Sequence, residues 1–308
     1  MHGIMFHHFH DGGKHIKSQG AISAARFSDM LDWLEARYAI LDPETFLETL
    51  ASGRLRPEHI CLTFDDALKS QFDIAFPVLQ RRGLRAFFFV YSAAFSKTPP
   101  KLEFYRDFRF SMFPDVEDFY ATFFSTFARS LPGKHARYLA EYPTDYLSAF
   151  PFYSQNDRRF RFARDRVLMD DFESILDRMM DDSAYDMRKR QAALFMNASD
   201  LRALAEAGEV VGMHSHSHPY TIKDMPRNRQ RIEYKKNREF LADLLGSDVW
   251  AMSHPCGSYG DDTLTLLRNL GIRLGFRSSM TPNDIRSTLE IPREDHANIL
   301  RTMQEDDA

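Results

Sequence analysis

The sequence predicts an α/β protein, a parallel sheet or barrel interrupted by a large helical, aromatic-rich insertion. Two observations predict the sheet. Short apolar runs of strand length alternate with helical patterns, and residues able to do chemistry fall just after those runs, where such folds bind ligands. A third marks the insertion: 16 of the 27 phenylalanines lie between Phe87 and Phe162, a region where the alternation lapses.

The first run, HGIMFHHF, ends in histidines and opens into a Gly-rich polar loop, after which Phe27, Met30, Leu31, Leu34 and Tyr38 fall at helical spacing. EHICLTFDDA reads as a buried strand ending in two aspartates. SQFDIAFPVLQRRG reads as a helix whose course Pro77 disturbs, and LRAFFFVY as a third strand. NASDLRALAEAGEVVGMH is a helix with a polar N-cap and Gly208 just past its end, leading into a strand. Residues 228–246 are helical, DVWAMSHP is a strand, DDTLTLLRNLG a helix, and IRLGFRS and LEIPR are the last two strands.

These patterns divide the chain into a discontinuous barrel over 1–94 and 197–300, an insertion over 95–196 and a disordered tail over 301–308. The insertion's phenylalanines read as a small core of its own. A lipid- or sugar-facing aromatic surface, and with it peripheral membrane contact, is the alternative. A net charge of −4 gives no reason to expect nucleic acid. Two cysteines, Cys61 and Cys256, make no disulfide framework and suit a reducing compartment. The start lacks a secretory pattern, and no transmembrane segment of roughly 18 apolar residues occurs, so a cytoplasmic location is expected.

Asp65-Asp66 closes a buried run. Such a pair is often only a turn that caps the next helix. Its chemical reading is that one carboxylate holds a divalent cation while the other acts as base, since the cation lowers the pKa of a coordinated water to about 7. GMHSHSHP, residues 212–219, sets three of the chain's 12 histidines at alternate positions. In an extended strand the outer two would stand about 13 Å apart, whereas two nitrogens on one zinc ion each lie about 2.0–2.1 Å from it. A strand therefore favours a neighbouring pair, and a turn favours His214 with His218; a surface His-rich turn is the competing reading. Two histidines and an aspartate leave positions open for water and substrate, which suits hydrolytic zinc and other divalent metals.

Three motifs in order at run ends, TFDD, HSHSHP and SHPCGSYG, resemble the TFDDG, H-S/T-x-x-H and R-P-P-Y-G patterns of the polysaccharide deacetylase family, carbohydrate esterase family four with its NodB homology domain. IMFHHF and LEIPRED resemble the LMYHxV and LPRxD segments of one branch. The resemblance covers about two thirds of the chain and leaves out 95–196. It implies a distorted (β/α)7-type barrel and hydrolysis of an N-acetyl group on an amino sugar. It further implies Asp65 as general base, Asp66, His214 and His218 as ligands of a divalent metal, zinc before others, and Ser215 as the hydroxyl steadying the loop. His216 is left over. The Pro255-Cys256-Gly257 turn matches the one whose backbone N–H serves the oxyanion.

The departures are specific. Ser253 stands where the family has the Arg that orients the base, Cys256 where it has Tyr, and Ala67 where it has Gly. Arg293 is the candidate for the missing Arg, a surface salt bridge being its competing role. No segment reproduces the late leucine-and-histidine motif that carries the acid. His7 is the first candidate, His296 the second and His254 the third, each with a hydrogen-bonded structural histidine as its alternative; His8 and His10 read as loop residues.

The expectation is a metal-dependent N-deacetylase acting on an N-acetylated sugar, a nucleotide- or lipid-linked precursor of a surface glycan. A deformylase or small-molecule amidase of the same fold is one alternative, and a non-catalytic glycan-binding barrel another. The intact Asp65 speaks against the last, because a pure binding site has no need of the second carboxylate.

Overall fold

A computed structural model describes residues 1–148, 153–281 and 283–306. The chain forms two units, Met1–Pro100 with Ala192–Ala308, and Lys101–Gln191.

In the first unit, β1 (Gly3–Phe6) leads through a loop to α1 (Ala24–Glu35), which Ser23 caps. A two-residue β2 (Ala39–Ile40) precedes α2 (Pro43–Ala51), where Asp42 accepts the Thr45 N–H and Pro43 sits at a position that needs no N–H. After β3 (His59–Asp65) comes a π-helical turn over Gln71–Ala75, then α3 (Phe76–Arg82) and β4 (Phe87–Val90). The disturbance expected at Pro77 takes this form. Pro77 has no N–H for the preceding turn, and the widened π turn absorbs the mismatch.

The second unit holds α4 (Leu102–Ser111), α5 (Val116–Ser130), α6 (Pro132–Glu141), α7 (Gln155–Phe162) and α8 (Phe172–Asp182), and its last residues begin α9 (Met187–Leu194). Its aromatic side chains pack on one another: Phe123 meets Phe160 edge-on at 4.8 Å between centroids, and Phe119 meets the same ring at 5.5 Å. Among the described residues Phe104, Phe108, Phe119, Phe123, Phe127, Phe160 and Phe162 are buried and form a small core, while Phe110, Phe113, Phe124 and Phe172 are half-buried. Phe150 and Phe152 lie outside the described residues. Arg190 grips buried Asp107 through two bonds of 2.7 and 2.6 Å, tying α9 to α4.

The first unit resumes with α10 (Ala198–Glu206), whose Asn197 and Asp200 form a capping box, then β5 (Val210–Met213) and α11 (Arg227–Leu245). There follow β6 (Ala251–Ser253), α12 (Asp261–Asn269), β7 (Leu274–Phe276), β8 (Arg293–Asp295) and α13 (His296–Asp306).

The strands order as β7-β6-β5-β4-β3-β1-β8, with β2 beside β3, and every pairing is parallel. A bridge from Phe276 to Ile291 brings the two ends together, so the sheet nearly closes into a distorted (β/α)7-type barrel. Strand parity sorts the side chains into two cores. Leu62, Phe64, Phe88, Val90, Val211 and Met213 pack with the helices. Cys61, Phe87, Phe89, Ala251, Leu274, Phe276 and Ile291 form a second core with Phe46 of α2. Asp65 and Thr63 share the parity of Cys61, which turns them into the barrel rather than toward the helices.

Two expectations need correction. The tail over 301–308 is not disordered through residue 306: it continues α13, because Ile299 and Met303, four apart, are buried on one face. Asp306 also accepts hydrogen bonds from Trp33 and Arg37. Residues 307 and 308 of that tail lie outside the described residues. The last strand, expected over LEIPR, pairs with β1 only from Arg293 onward, since Pro292 has no N–H to give a ladder; Ile291 instead faces β7.

Candidate active site

The loops that follow β3, β5 and β6 are bent by residues that rarely bend so. Asp66 and Ala67 have φ of 80° and 55°, Ser215 and His218 of 63° and 55°, and Cys256 of 52°. Among the described residues of the first unit these are all the non-glycine residues with positive φ. Each conformation costs on the order of 1–3 kcal/mol, and strain of this kind gathers where geometry serves function.

The strand carrying the histidines ends at Met213, and the chain then turns. The turn brings His214 and His218 together, their ring centroids 4.8 Å apart. Asp66 Oδ1 lies 3.5 Å from His214 Nε2 and 3.4 Å from His218 Nε2. One donor atom from each of the three lies within 4.8 Å of the others. Two ligands about 2.0–2.1 Å from a tetrahedral ion stand roughly 3.4 Å apart, so the donor set fits a cation of zinc's kind. The His214 ring is fixed from behind: its Nδ1 lies 3.0 Å from the Ser253 carbonyl and 2.6 Å from Ser253 Oγ, which leaves Nε2 to face Asp66. Burial pushes this imidazole down to about 3, with Asp65 opposing, so it stands neutral and ready to ligate. His216 is turned away, its Nδ1 2.8 Å from Ser92 Oγ.

Asp65 faces a different partner. Arg293, buried at the start of β8, donates from Nη1 to Oδ1 at 2.8 Å and from Nη2 to Oδ2 at 2.7 Å. It also donates to Thr63 Oγ1 at 3.1 Å and from Nε to the Arg277 carbonyl at 2.6 Å. This path runs past Gly3, where an added Cβ would lie 2.7 Å from Arg293 Cγ, so only glycine lets the side chain through. Ser253 Oγ donates to Asp65 Oδ1 at 3.1 Å and so links the carboxylate to the His214 ring. Burial pushes the Asp65 carboxyl up, but the Arg293 guanidinium and the neighbouring His214 more than offset it and hold it well below the usual carboxylate range. The surface role considered for Arg293 is thus ruled out by its burial.

His7 Nε2 stands 4.0 Å from Asp65 Oδ2 and 3.9 Å from Asp66 Oδ2, at the exposed edge of the same cluster. Burial pushes it down to about 4, against the pull of Asp65. The other two histidine candidates are occupied elsewhere. His296 Nε2 bonds the Gly20 carbonyl at 2.9 Å and its ring stacks on Phe6. His254 Nε2 bonds the Leu289 carbonyl at 2.8 Å and its ring stacks on Tyr259. In the turn after β6, Pro255 has no N–H and the Gly257 N–H donates to His254, which leaves the N–H of Cys256 to offer. Partial desolvation, then the Asp66 and Asp65 carboxylates, push the exposed Cys256 thiol up to about 11. By motif alone Ser253 is only a departure; its parity, shared with inward-facing Ala251 on β6, is the sequence sign that it points at Asp65.

Residues 181–275 match the sequence profile of the polysaccharide deacetylase family, described as polysaccharide deacetylase. Solved structures match along nearly the whole length. The Streptococcus pyogenes deacetylase PplD in complex with acetate is 16% identical over 98% of this chain and 97% of its own, with a TM-score of 0.54. IcaB from Ammonifex degensii is 16% identical over 95% and 89%, with a TM-score of 0.58. The BpsB deacetylase domain from Bordetella bronchiseptica is 14% identical over 96% and 95%, with a TM-score of 0.54. The chain carries the fold of these deacetylases, and residues 181–275 carry the family's sequence profile. No curated protein matches it in sequence. This deacetylase fold places the three motif loops at one end of the barrel, and among the described residues no helix is long and apolar enough to cross a membrane.

Proposed function

We propose that the protein is a metal-dependent N-deacetylase that hydrolyses the N-acetyl group of an amino sugar. One observation carries the reading: a carboxylate held ionised by Arg293 lies beside a separate Asp66-His214-His218 set of ligand spacing. A site built only to bind a cation or a glycan has no use for that second, separately anchored charge. The same fold in PplD, a deacetylase seen with acetate, supports the assignment.

A divalent metal, zinc before others, would be held by Asp66, His214 and His218 and would supply Lewis acidity toward the acetyl carbonyl. Asp65, kept an acceptor by Arg293 and Ser253, takes the proton of the attacking water. The Cys256 N–H is the donor available to the oxygen that gains charge. His7, within 4.0 Å of both carboxylates, takes up the proton that Asp65 has removed from the water and passes it to the departing amine. Protein loaded with zinc or cobalt, given nucleotide-linked, lipid-linked and oligomeric N-acetyl amino sugars, should release acetate from at least one class. Absence of release from all three, with metal bound, would sink the reading.

A further inference from the structure

Helix α11 buries a polar stripe. Gln230, Glu233 and Asn237 fall on one face with Tyr234 and Leu241, and all are buried. Their polar atoms go to the surrounding loops. The His214 N–H is shared between the Val90 carbonyl at 3.0 Å and Asn237 Oδ1 at 2.9 Å, and Asn237 Nδ2 donates to the same Val90 carbonyl at 3.0 Å. Glu233 Oε2 accepts the N–H groups of His216 at 3.1 Å and Ser217 at 2.7 Å, and Oε1 accepts the Ser217 hydroxyl at 2.9 Å. Gln230 donates to the Met225 carbonyl at 2.9 Å and accepts from Thr263 at 2.7 Å.

Apolar side chains of similar size would pack this face without the risk of a buried unmet polar group, which costs about 1–3 kcal/mol. The helix itself therefore does not explain the stripe. The loop it grips does. Between the two ligand histidines the backbone passes through left-handed conformations at Ser215 and His218, and the amides at 216 and 217 point outward from that bend. Inside the bend the His218 N–H donates to Ser215 Oγ at 3.1 Å, whereas the amides of 216 and 217 take their acceptor from α11. On the other side the His216 carbonyl accepts from the Ala93 N–H at 2.8 Å, so the crest of the loop is held from both flanks.

We propose that Glu233 and Asn237 are positioning residues that set His214 and His218 at ligand spacing before any cation arrives. The inference rests on the metal reading above. Two measurements test it: amide hydrogen exchange over residues 214–218 in metal-free protein, and titration with Co2+ followed by its visible absorption. In Glu233→Ala the amides of His216 and Ser217 should exchange at least about tenfold faster, and Co2+ should bind roughly 10–100-fold more weakly, the range seen when groups supporting metal ligands are removed. Glu233→Gln, which keeps one acceptor oxygen, should fall between; if Glu233→Ala does not fold, this variant decides. Wild-type exchange at 214–218, or wild-type Co2+ affinity and spectrum despite faster exchange, overturns the proposal. Wild-type protein that binds no Co2+ would remove the metal reading, and the exchange rates alone would then decide the positioning role.

Discussion

Arg293 and Asp65, 228 residues apart in sequence, meet as a two-pronged buried ion pair with contacts of 2.8 and 2.7 Å. Removing one partner of such a pair leaves the other charge buried and costs roughly 3–5 kcal/mol. Arg293→Ala should lose about that much unfolding free energy in urea and show no turnover. Arg293→Lys, with one point charge in place of a planar fork, should fold yet lose most of its turnover. Wild-type stability and turnover in Arg293→Ala would contradict the pairing.

Metal content separates the histidines of the loop. Asp66→Asn and His218→Ala should each lose bound zinc, whereas His216→Ala, whose ring meets Ser92 instead, should retain it. Elemental analysis after dialysis reads this directly. Loss in His216→Ala with retention in His218→Ala reverses the assignment.

His7→Ala should keep the metal and lose most of its kcat, on the order of 10²–10⁴-fold, the usual contribution of a positioned proton donor. His296→Ala, which breaks a bond to the Gly20 carbonyl, should act on stability and not on kcat. An unchanged kcat in His7→Ala would take the proton-return role away from it.

Glu209, buried at the start of the β5 segment, accepts the Ala86 N–H at 2.6 Å, and burial pushes its carboxyl up to about 7. Between its ordinary value near 4.5 and 7 the folded protein keeps a proton that the unfolded chain has lost. Stability from this group therefore falls as pH rises through that window, by at most ~3 kcal/mol. Glu209→Gln removes the dependence, so the variant should gain on the wild type between pH 5 and pH 8. Urea midpoints whose difference stays constant over that range would refute it.

The strands were legible because a parallel sheet buried on both faces writes itself as continuous apolar runs, and LTFDDA and VVGMH end where the ladders end. Short elements left less mark: β2 has two residues and α2 nine. The pairing of His214 with His218 depended on left-handed backbone at Ser215 and His218, which residue types alone do not announce. Arg293 could be named as a candidate, but its reach to Asp65 comes from β8 lying next to β1, a matter of topology. The polar stripe of α11 stayed hidden because hydropathy periodicity finds buried apolar faces and is blind to a buried glutamate whose partners are backbone amides.

The passage of Arg293 beside Gly3 has a consequence for how loss of function would be read in this protein. A saturation screen scored only on activity would rank Gly3 with Asp65, although Gly3 has no group that could touch substrate, cation or water. Alanine there, the mildest change available, would meet Arg293 Cγ and move the guanidinium off its carboxylate. An inventory of reactive side chains would miss a position whose contribution is the space it leaves empty.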